Sequence, residues 1–104
     1  MSVVVVATIT PKPEFRDDVI AAMKKAVPLV HDEDGCELYA LHQNDDRLVM
    51  IERWSSPQAL RTHGTESPAM QVFREAINGK LERPLDVVVL DSVPAGDTAK
   101  GQLL

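Results

Sequence analysis

Val3-Val4-Val5-Val6-Ala7-Thr8-Ile9-Thr10 decides how the rest of the chain is read. β-Branched side chains fill most positions, which favours a strand because they pack well on a pleated surface. Both alternating faces of that strand are apolar, so both need a cover. Pro11 and Pro13 stop it, and from Pro13 the spacing changes. Phe15, Val19, Met23, Ala26 and Val30 recur at three and four residues, with Glu14, Asp17 and Asp18 in the first turns, where the helix dipole favours acids. Pro28 removes one backbone donor inside this stretch and predicts a kink or a fresh helical turn. Gly35 is the expected stop.

Downstream, Cys36–Gln43 and Leu48–Trp54 read as two strands of a hairpin around the turn Asn44-Asp45-Asp46-Arg47. Ser56-Pro57 pairs a cap residue with Pro at the first helical position and opens a short helix ending near Gly64. Ser67-Pro68 repeats the signal for a further helix, with Met70, Phe73 and Ile77 on one face and Asn78-Gly79 as its stop. Leu85 to Val93 reads as the last strand. The order β-α-β-β-α-α-β is a split βαβ arrangement with one antiparallel sheet. Right-handed crossovers would place all helices on one side of it. The other sheet face is then bare and Val-rich, and such a patch marks an interface. The expectation is a homodimer whose sheets pack face to face. Residues 1–94 form one domain, and 95–104, with Gly, Asp, Thr and Lys, a mobile tail.

Composition narrows the function classes. The 104 residues carry 11 Lys+Arg against 16 Asp+Glu, a formal charge of −5, and only four aromatics. This length supports one modest core. Clustered Lys/Arg are absent, which argues against nucleic acid as a partner. No apolar run approaches the roughly 20 residues of a membrane span. Met1-Ser2-Val3 has no basic n-region, and the lone Cys36 suits a reducing compartment, so a cytoplasmic location is expected.

Candidate chemistry is sparse. His31, His42 and His63 lie on three elements with no metal-ligand spacing, and no metal site is expected. The five Gly form neither a GxGxxG nor a P-loop. Cys36 has no neighbouring cation to lower its pKa and reads as an inert thiol. No nucleophile elbow is present. The informative stretch is Glu52-Arg53-Trp54 through Phe73-Arg74. Strand alternation puts Met50, Glu52 and Trp54 on one face. Leu60 and His63, three apart, share a helix face that Leu60 turns inward. A Trp and a His lining an aliphatic cavity would suit a flat aromatic ligand. Bland readings stand beside this one: Trp54 as core, His63 as a cap on helix carbonyls, Glu52 as the ion-pair partner of a helix Arg or Lys, and Met70 and Phe73 as core.

From Val3 to Val93 the sequence resembles the antibiotic biosynthesis monooxygenase family of dimeric α+β barrels. The marks are the Val-rich first strand ending in Thr10-Pro11-Lys12-Pro13, Asp34-Gly35-Cys36 with Tyr39, Glu52-Arg53-Trp54, Ala59-Leu60 with His63, Ser67-Pro68 with Phe73, and the closing Val-rich strand. The resemblance implies a ferredoxin-like α+β fold with one four-stranded antiparallel sheet, and dimers packed sheet on sheet. In the quinol and anthrone branches it implies oxygenation without metal, flavin or haem, since an electron-rich phenolate can itself reduce O₂. The anthrone-type branch has a Trp and an Arg where this chain has Trp54 and Arg74, and an Asn and a Tyr where it has Met50 and Leu60. Its polar contacts are thus half retained. That points away from an anthrone and assigns the proton-accepting role to His63, whose side chain ordinarily titrates near 6.5. The haem-degrading branch has a His where Phe73 stands and an Asn on the first strand where only Val and Ala stand, so haem is not expected.

The reading is a cofactor-independent monooxygenase for a small quinol or polyphenol and O₂. His63, Trp54 and Arg74 would be catalytic, and Tyr39, Met50, Glu52, Leu60 and Phe73 would contact substrate. A non-catalytic small-ligand-binding or stress-response dimer, and an isomerase of a small oxygenated metabolite, remain alternatives on the same fold.

Overall fold

A computed structural model describes residues 2–103, so the ends of the expected domain and tail, Met1 and Leu104, lie outside the described residues. The elements are β1 (Val3–Ile9), a single 3₁₀ turn (Pro13–Phe15), α1 (Arg16–His31), β2 (Cys36–Gln43), β3 (Leu48–Trp54), α2 (Pro57–Glu66), α3 (Pro68–Ala76) and β4 (Asp86–Leu90). They form one antiparallel four-stranded sheet in the order β2-β3-β1-β4. This is the expected α+β, ferredoxin-like arrangement.

Local chemistry explains most boundaries. Ser56 Oγ accepts from Ala59 N at 3.1 Å and Ser67 Oγ from Met70 N at 3.2 Å, each followed by Pro at the first helical position. The Asn44 side chain closes the β2–β3 turn by accepting from Asp46 N and Arg47 N. Three boundaries differ from expectation, and one helix runs on through a proline. Helical structure begins with the 3₁₀ turn, and α1 proper starts at Arg16. α1 passes through Pro28 to His31 without a break, because tertiary packing of Val19, Met23, Ala26 and Val30 outweighs one missing donor. α2 runs beyond Gly64 to Glu66 and stops only where Ser67 turns extended to cap α3. β4 is shorter than the apolar run, because its pairing with β1 ends at Val4↔Leu90, near the start of β1.

The core lies between the helices and one sheet face. Val3, Val5, Ile9, Leu48, Met50, Trp54 and Tyr39 meet Val19, Met23 and Val30 of α1 and Ala69, Met70 and Phe73 of α3. Burying each such large side chain stabilises by about 1.5–3 kcal/mol. The register puts Val4, Val6, Val49, Ile51, Val88 and Leu90 on the other face. β4 is exposed on both faces, with Val87 and Val89 each 55% accessible. Among the described residues of the tail, Asp97 caps Ala99 N and Lys100 N, and Arg53 donates to the Leu103 carbonyl. Among the described residues no helix is long and apolar enough to cross a membrane.

Candidate active site

The site is built where the α1–β2 loop meets the start of α2. Gly35, at φ +81°, turns the chain from α1 into β2. Its carbonyl accepts from Ser55 N at 2.8 Å, and a Cβ built on it would lie 2.5 Å from Ala59 Cβ. Only glycine allows this approach without a shift. It carries Glu33, two residues earlier, onto α2. Glu33 Oε1 accepts from His63 Nδ1 at 2.7 Å, and Glu33 Oε2 accepts from the Ser67 hydroxyl. A carboxylate can only accept, so the hydrogen sits on Nδ1 and a neutral His63 presents Nε2 as an acceptor. Among the described residues Nε2 makes no hydrogen bond and no buried side-chain nitrogen or oxygen is left unsatisfied, so it is not sealed in. An open cleft of about 420 Å³ lies here, lined by Glu33, Gly35, Ser55, Thr62, His63 and Ser67 among others.

Behind His63 stand the aromatics. The Trp54 and His63 rings lie 4.5 Å apart at 32°, and Tyr39 meets His63 edge-on at 5.5 Å. Alternation in β3 puts Glu52 on the Trp54 face, and its Oε1 accepts from Trp54 Nε1 at 2.9 Å. Glu52 is therefore bound to the indole and has no ion-pair partner among the described residues. Burial pushes its carboxyl up to about 7; the Trp54 hydrogen bond opposes this and the nearby Glu33 adds to it. Burial and the charges of Glu52 and Glu33 raise the Tyr39 phenol, whose hydroxyl donates to Met70 Sδ. The Cys36 thiol is raised as well, by burial and then Glu33 and Glu52, which disfavours the thiolate.

The structure thus brings together four of the eight residues expected at the site: His63, Trp54, Glu52 and Tyr39. It does so differently from expectation. Trp54 is fully buried, and the three rings pack against one another instead of lining an open cavity; the cleft reaches His63 and stops short of Trp54 and Tyr39. Met50 is fully buried core, and Leu60 is half-buried at the edge of the core. Phe73 is core on one side and lines an apolar groove between α1 and α3, away from the cleft. Arg74 is exposed and does not line the cleft. Its guanidinium donates to the Gly64 carbonyl at 2.9 Å, one of the orphan acceptors in the last turn of α2. His63 bonds Glu33 rather than capping carbonyls.

Glu33 and Ser67 went unrecognised in the sequence as site residues. Glu33 sits in the acidic run Asp32-Glu33-Asp34 before Gly35, and nothing local separates it from its neighbours. Ser67 reads only as a cap. Among the described residues, no group of three His, Cys, Asp or Glu could hold a metal ion.

Residues 2–76 match the sequence model of a family described as antibiotic biosynthesis monooxygenase. The chain belongs to this family. Among curated relatives it is similar to "Putative monooxygenase Rv0793" of Mycobacterium tuberculosis, 34% identical over 90 residues that span 85% of this chain and 88% of the relative. It is also similar to "Probable quinol monooxygenase YgiN" of Escherichia coli, 33% identical over 88 residues, 72% of this chain and 84% of that protein. The solved structure of Rv0793 superposes with a TM-score of 0.82 at 30% identity, covering 93% of this chain and all of that one. The matched span of the family includes β1 to α3, and so every residue of the Glu33–His63 cleft and of the aromatic cluster behind it.

Proposed function

We propose that the chain is a monooxygenase that oxidises a small electron-rich aromatic, a quinol or polyphenol, with O₂. The observation that carries the reading is the Glu33–His63 pair: a histidine held in one tautomer at a cleft, with its second nitrogen open and an aromatic cluster at its back. His63 Nε2 takes a proton from a substrate hydroxyl, and Glu33 stabilises the imidazolium that forms. The resulting anion reduces O₂. In the full reaction one oxygen atom enters the ring and the other leaves as water, and the quinol, converted to a hydroxyquinone, supplies all four electrons. Because the electrons come from the substrate, the protein's tasks are binding, deprotonation and exclusion of water. The names of the two relatives support the reaction class, and that of YgiN supports a quinol.

Two copies are further inferred to pack through the open sheet face, where Val6, Ile51, Val88 and Leu90 are apolar and at least partly accessible.

Oxygen uptake with reduced naphthoquinones tests the activity. Wild type should exceed the uncatalysed background and yield hydroxyquinone carrying one atom of labelled O₂, and His63→Ala should fall to background. Wild-type uptake equal to autoxidation, or quenching of Trp54 emission by quinols without turnover, would leave a binding protein instead.

A further inference from the structure

Glu52 is the least expected group in the core. Its residue is 4% exposed on the middle of the sheet, and no cation is paired with it among the described residues. A buried carboxyl without a cation is costly, and proteins place one where it serves a site more often than in plain core. One oxygen is committed to Trp54 Nε1 at 2.9 Å; among the described residues the other makes no hydrogen bond and, like His63 Nε2, is not sealed in. The indole it holds is the ring packed against His63, 4.5 Å away. We propose that Glu52 is a positioning residue of the candidate site, anchoring the Trp54 indole against the His63 ring. Its effect on turnover rests on the proposed oxidation, but the anchoring does not depend on it.

Two physical points support the assignment. An indole has a single donor, so a fixed acceptor at Nε1 sets the rotation of the ring in its plane, and with it which edge meets His63. Charge is the second. The titratable groups around Glu52 are Glu33 in the α1–β2 loop, Cys36 and Tyr39 on β2, and His63 on α2. Glu33 already brings one negative charge, and ionising Glu52 adds a second near it behind the indole, so the Trp54 contact changes with the protonation of Glu52. Burial holds the Glu52 carboxyl up to about 7, so the uncharged form is well populated at neutral pH.

Trp54 is the only tryptophan, so its emission reports the contact directly. In the His63→Gln background, which removes the imidazole from the indole face, emission should change with a midpoint near 7. Adding Glu52→Gln should abolish that transition. Its absence with Glu52 intact, or its persistence in the double variant, would overturn the proposal. With reduced naphthoquinone, Glu52→Gln keeps an acceptor for Nε1 and should hold kcat well above that of Glu52→Leu. Glu52→Leu keeps the volume, loses the acceptor, and should lower kcat by about tenfold or more with little change in KM. Wild-type kcat in Glu52→Leu would also overturn the assignment. Should wild type turn over no quinol, the oxidation fails, and the fluorescence titration alone decides whether Glu52 anchors Trp54.

Discussion

His63 Nδ1 and Glu33 Oε1 lie 2.7 Å apart although thirty residues separate them in the chain. The contact joins the loop after α1 to the last half of α2, and it decides which nitrogen of His63 faces the cleft. Glu33 is itself held by a second donor, the Ser67 hydroxyl, which also caps α3. Three elements therefore converge on one carboxylate, and the base at the cleft inherits their rigidity.

Glu33→Gln should disable the base without unfolding the chain. A neutral amide cannot accept from both His63 and Ser67 and stabilises an imidazolium poorly. Turnover of reduced naphthoquinone should fall by roughly 10²-fold, within the range typical of general-base contributions. Circular dichroism should stay as in wild type, and undiminished oxygen uptake would remove Glu33 from the mechanism.

Gly35→Ala should damage fold and site together. At φ +81° the new methyl sits in a strained backbone conformation, and it would lie 2.5 Å from Ala59 Cβ and 2.7 Å from Ser55 Oγ. The combined cost of strain and overpacking is on the order of 2–4 kcal/mol. Urea unfolding checks the stability. Because the loop carrying Glu33 must shift, residual activity at low temperature should also drop, beyond the loss expected from the unfolded fraction.

Glu52 makes stability depend on pH in a direction opposite to that of a salt-bridged acid. Folding raises its carboxyl from 4.5 to about 7, so between these values the folded chain holds a proton that the unfolded chain has released. The contribution is fully present below about 4.5 and is lost as pH rises through about 7, a change on the order of 3 kcal/mol. Cys36 and Tyr39 are raised from 9.0 and 10.0 and so act only at higher pH. Thermal unfolding of Glu52→Gln should show a weaker decline across this window, and equal slopes in both proteins would contradict the assignment.

Val88 and Leu90 test the assembly. They are 43% and 44% accessible in the single chain and stand on the open sheet face. A Val88→Asp, Leu90→Asp double variant should sediment as a monomer where wild type sediments as a dimer. A monomeric wild type would mean that the Val-rich face is left uncovered in solution.

Much of the fold was legible because its signals are local. The hairpin strands Cys36–Gln43 and Leu48–Trp54 follow from β-forming residues around an Asn-Asp turn, and both helix starts follow from Ser-Pro pairs. Alternation alone set Met50, Glu52 and Trp54 on one face, and three-residue spacing set His63 beside Leu60. Where local rules compete with packing they fall short, as at Gly64, which α2 passes by two residues before Ser67 ends it. The site needed the third dimension. That Glu33, rather than Asp32 or Asp34, meets His63 depends on how closely Gly35 approaches Ala59, a distance set by two elements docking. That Trp54 is closed off behind His63, and Arg74 turned to the Gly64 carbonyl, depends on how α2 and α3 fill the space above the sheet. Periodicity determines which face a side chain takes, but the partner it meets there is chosen by contacts between segments far apart in the chain.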